Sequence, residues 1–168
     1  MGEEIVNRVA NSSLITIDLA DYAPKSQISE IDLKQFLFKG VILKEKEFRK
    51  TLKEFDFSIY TNKIVALFCS SDAIIPMWAY MLTTSYLNPL ASEIYFGDKE
   101  QVFQKMIAKN IEKIDTAEFK EKKIIIKGCG HIPLAENLYI AITKKLQNTA
   151  SSLMFGEACS AVPVFKKE

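Results

Sequence analysis

Apolar runs of strand length alternate with helix-like stretches from residue 63 to the end of the chain. The runs lie at residues 63–68, 93–96, 122–127 and 152–155. Between them, apolar positions recur at steps of three and four residues, which is the spacing of one face of an α-helix. Strands that alternate with helices are typical of a parallel sheet with crossover helices. We therefore predict an α/β fold with a mainly parallel sheet of about four core strands, in a flavodoxin-like or Rossmann-like order.

The pattern in the first third of the chain is less regular. Residues 4–11 are predicted to form a short helix or turn, and residues 14–19 alternate as a half-buried edge strand does. Residues 31–38 have the spacing of a short helix, and residues 44–56 that of a charged helix with one narrow apolar stripe. We find no candidate chemistry in this part of the chain.

The length and composition indicate one globular domain. With 168 residues, of which 48% are hydrophobic and 26% charged, the chain is long enough for a single core and too apolar for a disordered protein. We expect residues 1–62 to form an N-terminal α+β addition to a core of residues 63–168. The helices of this addition offer a face for a homodimer.

The charge balance and the N-terminus argue against several partners. The 22 basic and 21 acidic residues leave no net field that would attract nucleic acid. The N-terminus is acidic where a signal peptide is basic, and no apolar run approaches the roughly 20 residues of a membrane-spanning helix. We therefore expect a cytoplasmic protein with neither nucleic acid nor membrane as its partner.

A short internal echo is present in the second part of the chain. Residues 96–98 are Phe-Gly-Asp and residues 155–157 are Phe-Gly-Glu, and both triplets lie at predicted strand ends. Glycine at such positions allows a positive φ or the close approach of a ligand, and a plain turn also uses it. We do not interpret the echo as a duplication.

The three cysteines all lie at or just past the carboxyl end of a predicted strand. They are Cys69, Cys129 and Cys159, and each is followed within a few residues by a proline. Adjacent strands lie roughly 4.8 Å apart. If the three strands are parallel neighbours, their thiols meet at the edge where such sheets bind ligands. Helices predicted after Cys69 and Cys129 would favour the thiolate form.

This arrangement predicts a metal site. Three thiolates repel one another unless a cation compensates them, which favours a zinc ion or an iron–sulfur cluster over three free anions. Asp72 and His131 are the candidate further ligands, with Ser70 and Ser160 beside them. The spacing of the cysteines is not that of a zinc finger or ribbon. A redox-active thiol pair and simple packing of small buried cysteines stay open as alternatives.

Two other function classes are open. A small-molecule enzyme would use the same sheet edge, with Asp72 and Asp98 as acid–base groups. A non-catalytic dimeric scaffold would present an apolar surface over residues 31–56 and keep its cysteines buried. Several catalytic motifs are absent from the sequence, among them Cys-x-x-Cys, the Walker lysine motif, the Gly-x-Ser-x-Gly elbow and Gly-x-Gly-x-x-Gly.

Four segments carry a resemblance to a known family. They are residues 5–12 (Ile-Val-Asn-Arg-Val-Ala-Asn-Ser), residues 68–80 (from Phe-Cys-Ser-Ser-Asp to Trp-Ala-Tyr), residues 126–129 (Ile-Lys-Gly-Cys) and residues 154–163 (Met-Phe-Gly-Glu-Ala-Cys-Ser-Ala-Val-Pro). With them the whole chain resembles an uncharacterised bacterial family, domain of unknown function 2480. The resemblance marks the cysteine segments as family motifs. Such proteins are associated with gene neighbourhoods of iron–sulfur assembly, which implies iron–sulfur assembly proteins as partners.

Overall fold

The computed structural model describes residues 14–127 and 130–168. The strands are β1 Leu14–Asp18, β2 Ile28–Asp32, β3 Ile64–Phe68, β4 Glu93–Phe96, β5 Lys123–Lys127, β6 Ser152–Phe155 and β7 Val162–Lys166. The α-helices are α1 Glu45–Glu54, α2 Met77–Leu87, α3 Lys99–Glu112 and α4 Glu136–Leu146. Short 3-10 helices lie at Leu19–Tyr22, Leu33–Phe36, Phe57–Tyr60 and Ala117–Phe119.

Residue contacts divide the chain into two compact units. Unit 2 is the continuous stretch Pro24–Lys105, and unit 1 combines the described residues up to Ala23 with Met106–Glu168. The boundary after Lys105 falls within α3. The units do not follow the expected division at residue 62, and the single-domain organisation stays a prediction.

Unit 2 is built on a parallel sheet of β2, β3 and β4, with β3 in the middle. The central strand is apolar throughout and Ile64, Val65, Ala66 and Leu67 are all buried, as expected for a parallel strand that is covered on both faces. Helix α1 turns Phe48 towards this core and its charged residues outwards. Complete burial of one such side chain contributes roughly 1.5–3 kcal/mol to stability.

Unit 1 is built on a parallel sheet of β1, β5 and β6, to which β7 adds an antiparallel edge. The middle strand β5 again buries three consecutive residues, Ile124, Ile125 and Ile126. Helix α4 buries Leu138 and Ile142. The sheet is therefore mixed, because β7 runs against its neighbour.

The two units repeat one plan at an offset of 59 positions. The residue that precedes the middle strand by two has a positive φ in both, 60° at Asn62 and 56° at Glu121. The glycine after the third strand has a φ of 132° at Gly97 and 116° at Gly156. Each of these glycines donates its N–H to the middle strand at 3.0 Å. These backbone states are rare and recur at matched positions, so they indicate a common design.

The repeat extends to the cores and helix ends. Buried residues of unit 2 have buried counterparts in unit 1 at the same offset, and these pairs are Phe48 with Ile107, Leu52 with Ile111, Tyr60 with Phe119, Ala79 with Leu138 and Leu87 with Leu146. The first strands match as well, because Asp18 and Asp32 each end a strand and cap the 3-10 helix that follows. The two units therefore share a structural plan, and the interpretation that the sequence echo is not a duplication stays a prediction.

The prediction of one sheet with about four core strands is also wrong in detail. The fold is α/β and its sheets are mostly parallel, as predicted, but the strands form two sheets. The chain forms two sheets because its first two strands have different partners. Strand β1 pairs with β5, whereas β2 pairs with β3. The strands that precede Cys69 and Cys159 consequently belong to different sheets, and the flavodoxin-like order is not observed.

Some of the predicted helices and strands are confirmed and others are not. The edge strand at 14–19 is confirmed as β1, and the charged helix at 44–56 is confirmed as α1. Residues 31–38 do not form a continuous helix, because Ile31 belongs to β2, where it is completely buried. Helix α2 leaves part of its apolar surface in solvent, since the exposed fractions of Met77 and Met81 are 72% and 71%. The prediction for residues 4–11 lies outside the described residues.

Candidate functional site

The carboxyl edge of the sheet in unit 2 carries the most distinctive group of side chains. Asp32 ends β2, Cys69 follows β3 directly, and Gly97 follows β4. This is the edge at which open parallel sheets bind ligands, because the connections to the next elements diverge there. Helix α2 begins only at Met77, so a loop of residues 69–76 separates the thiol from the helix end. The helix predicted after Cys69 is therefore present as α2, and it begins eight positions after Cys69 in the chain.

A carboxylate joins the ends of β2 and β3. The Ser70 N–H donates to Asp32 Oδ1 at 3.0 Å, and the Ser70 hydroxyl donates to Asp32 Oδ2 at 2.5 Å. Asp32 Oδ1 also accepts the Lys34 N–H at 2.9 Å, which caps the 3-10 helix. One side chain thus fixes the start of the loop that carries Cys69.

These contacts set the ionisation of Asp32. Its partial burial would raise the pKa, but the hydrogen bonds from Ser70 and Lys34 and the charge of Lys34 together outweigh burial and lower the pKa below 3.8. The carboxylate is therefore ionised at neutral pH, as an acceptor of several hydrogen bonds should be.

A cavity of about 700 Å³ opens beside Cys69, between the sheet edge and α2. We call it the Cys69 cleft. Its lining residues are Leu67, Cys69, Ser71, Ala73, Ile75, Met77, Tyr80, Thr84, Ile94, Tyr95 and Phe96. Most of these side chains are apolar, and the few polar groups converge on one cavity, which is the usual make-up of a small-molecule site.

Two tyrosines contribute hydroxyl groups to the cleft lining. Burial raises the pKa of Tyr80 above 10.0, and electrostatic interactions with Cys69 and Asp32 raise it further, so this hydroxyl keeps its proton at neutral pH. The Tyr80 ring contacts Phe96 edge-on, with 5.7 Å between the ring centroids. The Tyr95 hydroxyl donates to the carboxylate of Glu93. Tyr80 is therefore the hydroxyl placed to donate to a ligand near the thiol.

The mouth of the cleft is unusually apolar for an exposed surface. Met77 and Phe96 line the cavity, yet their exposed fractions are 72% and 65%. Ile74, in the loop after Cys69, is 94% exposed but does not belong to the cavity lining. Single exposed apolar residues are ordinary, whereas a group of them around a cavity marks a binding surface.

Asp72 lies in the same loop as Cys69 but lines a different cavity. That cavity has a volume of about 530 Å³ and is polar, with Lys34, Lys39 and Ser70 beside Asp72. Asp98, the other carboxylate proposed for acid–base chemistry, accepts the Gln101 N–H at 2.8 Å and caps α3. Asp98 therefore has a structural role at a helix start.

The remaining predicted ligands belong to unit 1. Cys159 is exposed in the loop after β6, with its Sγ 4.0 Å from Ser160 Oγ. His131 is exposed in the segment between β5 and α4. Cys129 lies outside the described residues. Within the described ranges, no group of three or more His, Cys, Asp or Glu side chains is placed to hold a metal ion.

Sequence reasoning missed part of this site. Helix α2 divides its aromatic residues between the core and the cleft. Trp78 does pack against Phe48, with ring centroids 5.8 Å apart, but Tyr80 lines the cleft. No sequence motif indicated that Asp32 belongs to the site, because its partner Ser70 lies 38 positions further along the chain.

The fold and the cleft define an α/β protein of two similar units, one of which holds a thiol-lined apolar cavity. The chain belongs to the family described as Protein of unknown function (DUF2480), whose model matches residues 3–167. No curated protein and no solved structure matches the chain. No helix among the described residues has the length and apolar character needed to cross a membrane.

The contacts of Asp32 predict a pH-dependent contribution to stability. We expect Asp32→Ala to lower the free energy of unfolding by about 1–2 kcal/mol at pH 7, since it removes a helix cap and the bonds from Ser70. Because the folded pKa lies below 3.8, this contribution is complete above pH 3.8 and disappears as the pH falls through the folded pKa. Urea unfolding at several pH values measures it.

The matched control is Asp72→Ala, which removes an exposed carboxylate from the neighbouring loop and should change stability by less than about 0.5 kcal/mol. Equal stability of Asp32→Ala and wild type at pH 7 would contradict the role assigned to Asp32. So would a difference that persists undiminished at pH 2.

Proposed function

We propose that this protein binds an apolar ligand in the Cys69 cleft and that the Cys69 thiol is the reactive contact at its polar end. The observation that carries the proposal is the cavity of about 700 Å³ at the carboxyl edge of a parallel sheet, with a free thiol in its lining. Cavities of roughly 300–1,000 Å³ with a few convergent polar groups are typical ligand sites.

The chemistry of the lining restricts the ligand. Apolar side chains and an exposed apolar mouth favour a neutral hydrocarbon or aromatic group, because transferring a charge into such surroundings is costly. The Tyr80 hydroxyl stays protonated and can donate a hydrogen bond, whereas a thiol is soft and nucleophilic once ionised. A neutral apolar group that carries a soft or electrophilic atom therefore fits best.

The proposal predicts a specific pattern of thiol protection. The neutral dye N-phenyl-1-naphthylamine should bind and slow the alkylation of Cys69 by N-ethylmaleimide, whereas the exposed Cys159 should react at the same rate with and without the dye. Peptide mass spectrometry after timed alkylation measures both rates. Equal rates for Cys69 in the presence and absence of saturating dye would overturn the proposal.

Two methionines on α2 provide a matched pair of variants. Met77 lines the cleft and Met81 does not, although they are equally exposed. Met77→Asp should weaken dye binding about tenfold, because a charge at the mouth opposes entry of an apolar group. Met81→Asp should leave binding unchanged, and equal effects of the two variants would assign the dye to a general apolar surface.

We propose metal binding in unit 1 as a second candidate function. It is favoured by the order of its strands, because β5 and β6 are parallel neighbours. Cys129 follows β5 by two positions in the sequence, and the exposed Cys159 follows β6. With His131 these residues supply the thiol and imidazole donors that zinc and iron–sulfur centres use. Cys69 and Asp72 belong to unit 2 and are not part of this proposal. Iron–sulfur assembly proteins would be its natural partners.

This candidate predicts which cysteine variants lose metal. Protein purified anaerobically from iron-supplemented cells should contain zinc or iron, and Cys129→Ser and Cys159→Ser should lose it. Cys69→Ser should retain it. Metal analysis and an absorption spectrum give the result. Metal-free wild-type protein, or loss in Cys69→Ser alone, would contradict the assignment to unit 1.

A further inference from the structure

A second apolar cavity lies in unit 1, at the position that corresponds to the Cys69 cleft. It has a volume of about 500 Å³ and is formed by residues of α4, β5, β6 and β7. We call it the Lys144 groove, after its one charged lining residue. Ile140, Phe155 and Val164 line it with exposed fractions of 62%, 40% and 55%. Three apolar side chains are thus held at the surface around one cavity.

Residues at corresponding positions line both cavities. Tyr139 and Phe155 contact each other edge-on, with 5.7 Å between the ring centroids and 83° between the rings. The corresponding pair in unit 2, Tyr80 and Phe96, has the same 5.7 Å separation and an angle of 80°. Other lining residues match at the offset of 59 positions, and these are Leu67 with Ile126, Thr84 with Thr143 and Tyr95 with Met154.

The polar groups of the two cavities differ. Unit 2 has a cysteine in the lining of its cavity, whereas unit 1 has Lys144 in the lining of its groove. The residue of unit 2 that corresponds to Lys144 is Ser85, which carries no charge. Among the described carboxylates, none forms an ion pair with Lys144. A positive charge without a partner at the rim of an apolar groove favours an anionic, amphiphilic ligand.

We propose that the Lys144 groove binds a monocarboxylate with a hydrocarbon chain. The chain would lie along Ile140, Phe155 and Val164, and the carboxylate would pair with the ammonium group of Lys144. Strand β7 gives this groove a wall, because Val164 belongs to its lining. The protein therefore has two binding sites of one design, of which the second selects its ligand by negative charge.

Three probes with the same ten-carbon chain test the charge selectivity. Decanoate should bind to the full-length protein at pH 8 in isothermal titration calorimetry, below its micelle concentration. 1-Decanol and decyltrimethylammonium should bind about tenfold more weakly, the difference that a partly desolvated ion pair makes to affinity. Equal or tighter binding of decyltrimethylammonium would overturn the proposal, and so would a failure of decanoate to bind at all.

Two lysine variants locate the site. Lys144→Gln should weaken decanoate binding about tenfold and leave decanol binding unchanged, because only the ion pair is removed. Lys113→Gln is the matched control, since it removes the same charge from an exposed position of unit 1 that does not line the groove. Equal weakening by both variants would reduce the effect to net charge and contradict a defined site.

The Met77→Asp variant separates this proposal from the Cys69 cleft. It alters only the cavity of unit 2, so decanoate binding should be unchanged in it. Loss of decanoate binding in Met77→Asp, together with normal binding in Lys144→Gln, would assign the acid to the Cys69 cleft and overturn the proposal. The two sites therefore fail or succeed independently.

Discussion

Two parallel strand pairings determine where the other elements of this protein lie. Strand β2 pairs with β3, and β1, which precedes it in the chain, pairs with β5 far along the sequence. These pairings give the chain two separate sheets, β1-β5-β6-β7 and β2-β3-β4. In unit 2 the pairing also brings Asp32 to the end of β3, where its carboxylate accepts two hydrogen bonds from Ser70. This contact fixes the start of the loop that follows Cys69, which lines the cleft.

The repeat explains why one chain has two similar cavities with different chemistry. The aromatic pair and the third-strand glycine recur in both units, so the shape of the cavity belongs to the common plan. The cysteines do not recur, because at the offset of 59 positions Cys69 corresponds to Gly128 and Cys129 to Ser70. The two units therefore differ in the cysteine and the lysine that line their cavities, although the surrounding aromatic pairs match. Such a division suits a protein that contacts two different ligands.

The periodicity of apolar residues predicted most helices and strands, but it did not predict which strands pair. The run at 64–68 and the spacing of Phe48 and Leu52 reflect burial within a few residues, which periodicity reports directly. Strand β2 has only two buried residues, Ile28 and Ile31, and its spacing merges with the 3-10 helix that follows. Which strands share a sheet depends on partners dozens of residues apart, for which the sequence pattern carries no local signal.

The candidate site could be predicted only in part, because its composition also depends on which strands pair. Cys69 does follow a buried strand, and the carboxyl edge of a parallel sheet does hold a cavity there. The joint site of three thiols required their strands to be neighbours in one sheet, and β3 and β6 are not. Tyr80 and Phe96 meet across the cleft only because α2 packs beside β4. No spacing rule connects these two residues.

The most direct test of ligand binding in the Cys69 cleft is an NMR titration of protein labelled with ¹³C at its methionine methyl groups. Addition of N-phenyl-1-naphthylamine should shift the methyl signal of Met77, which lines the cleft, and leave that of the buried Met106 in place. Prior alkylation of Cys69 should abolish the shift, because the adduct occupies the cavity. A Met77 signal that does not move at saturating dye, or that moves equally after alkylation, would contradict a ligand site at Cys69.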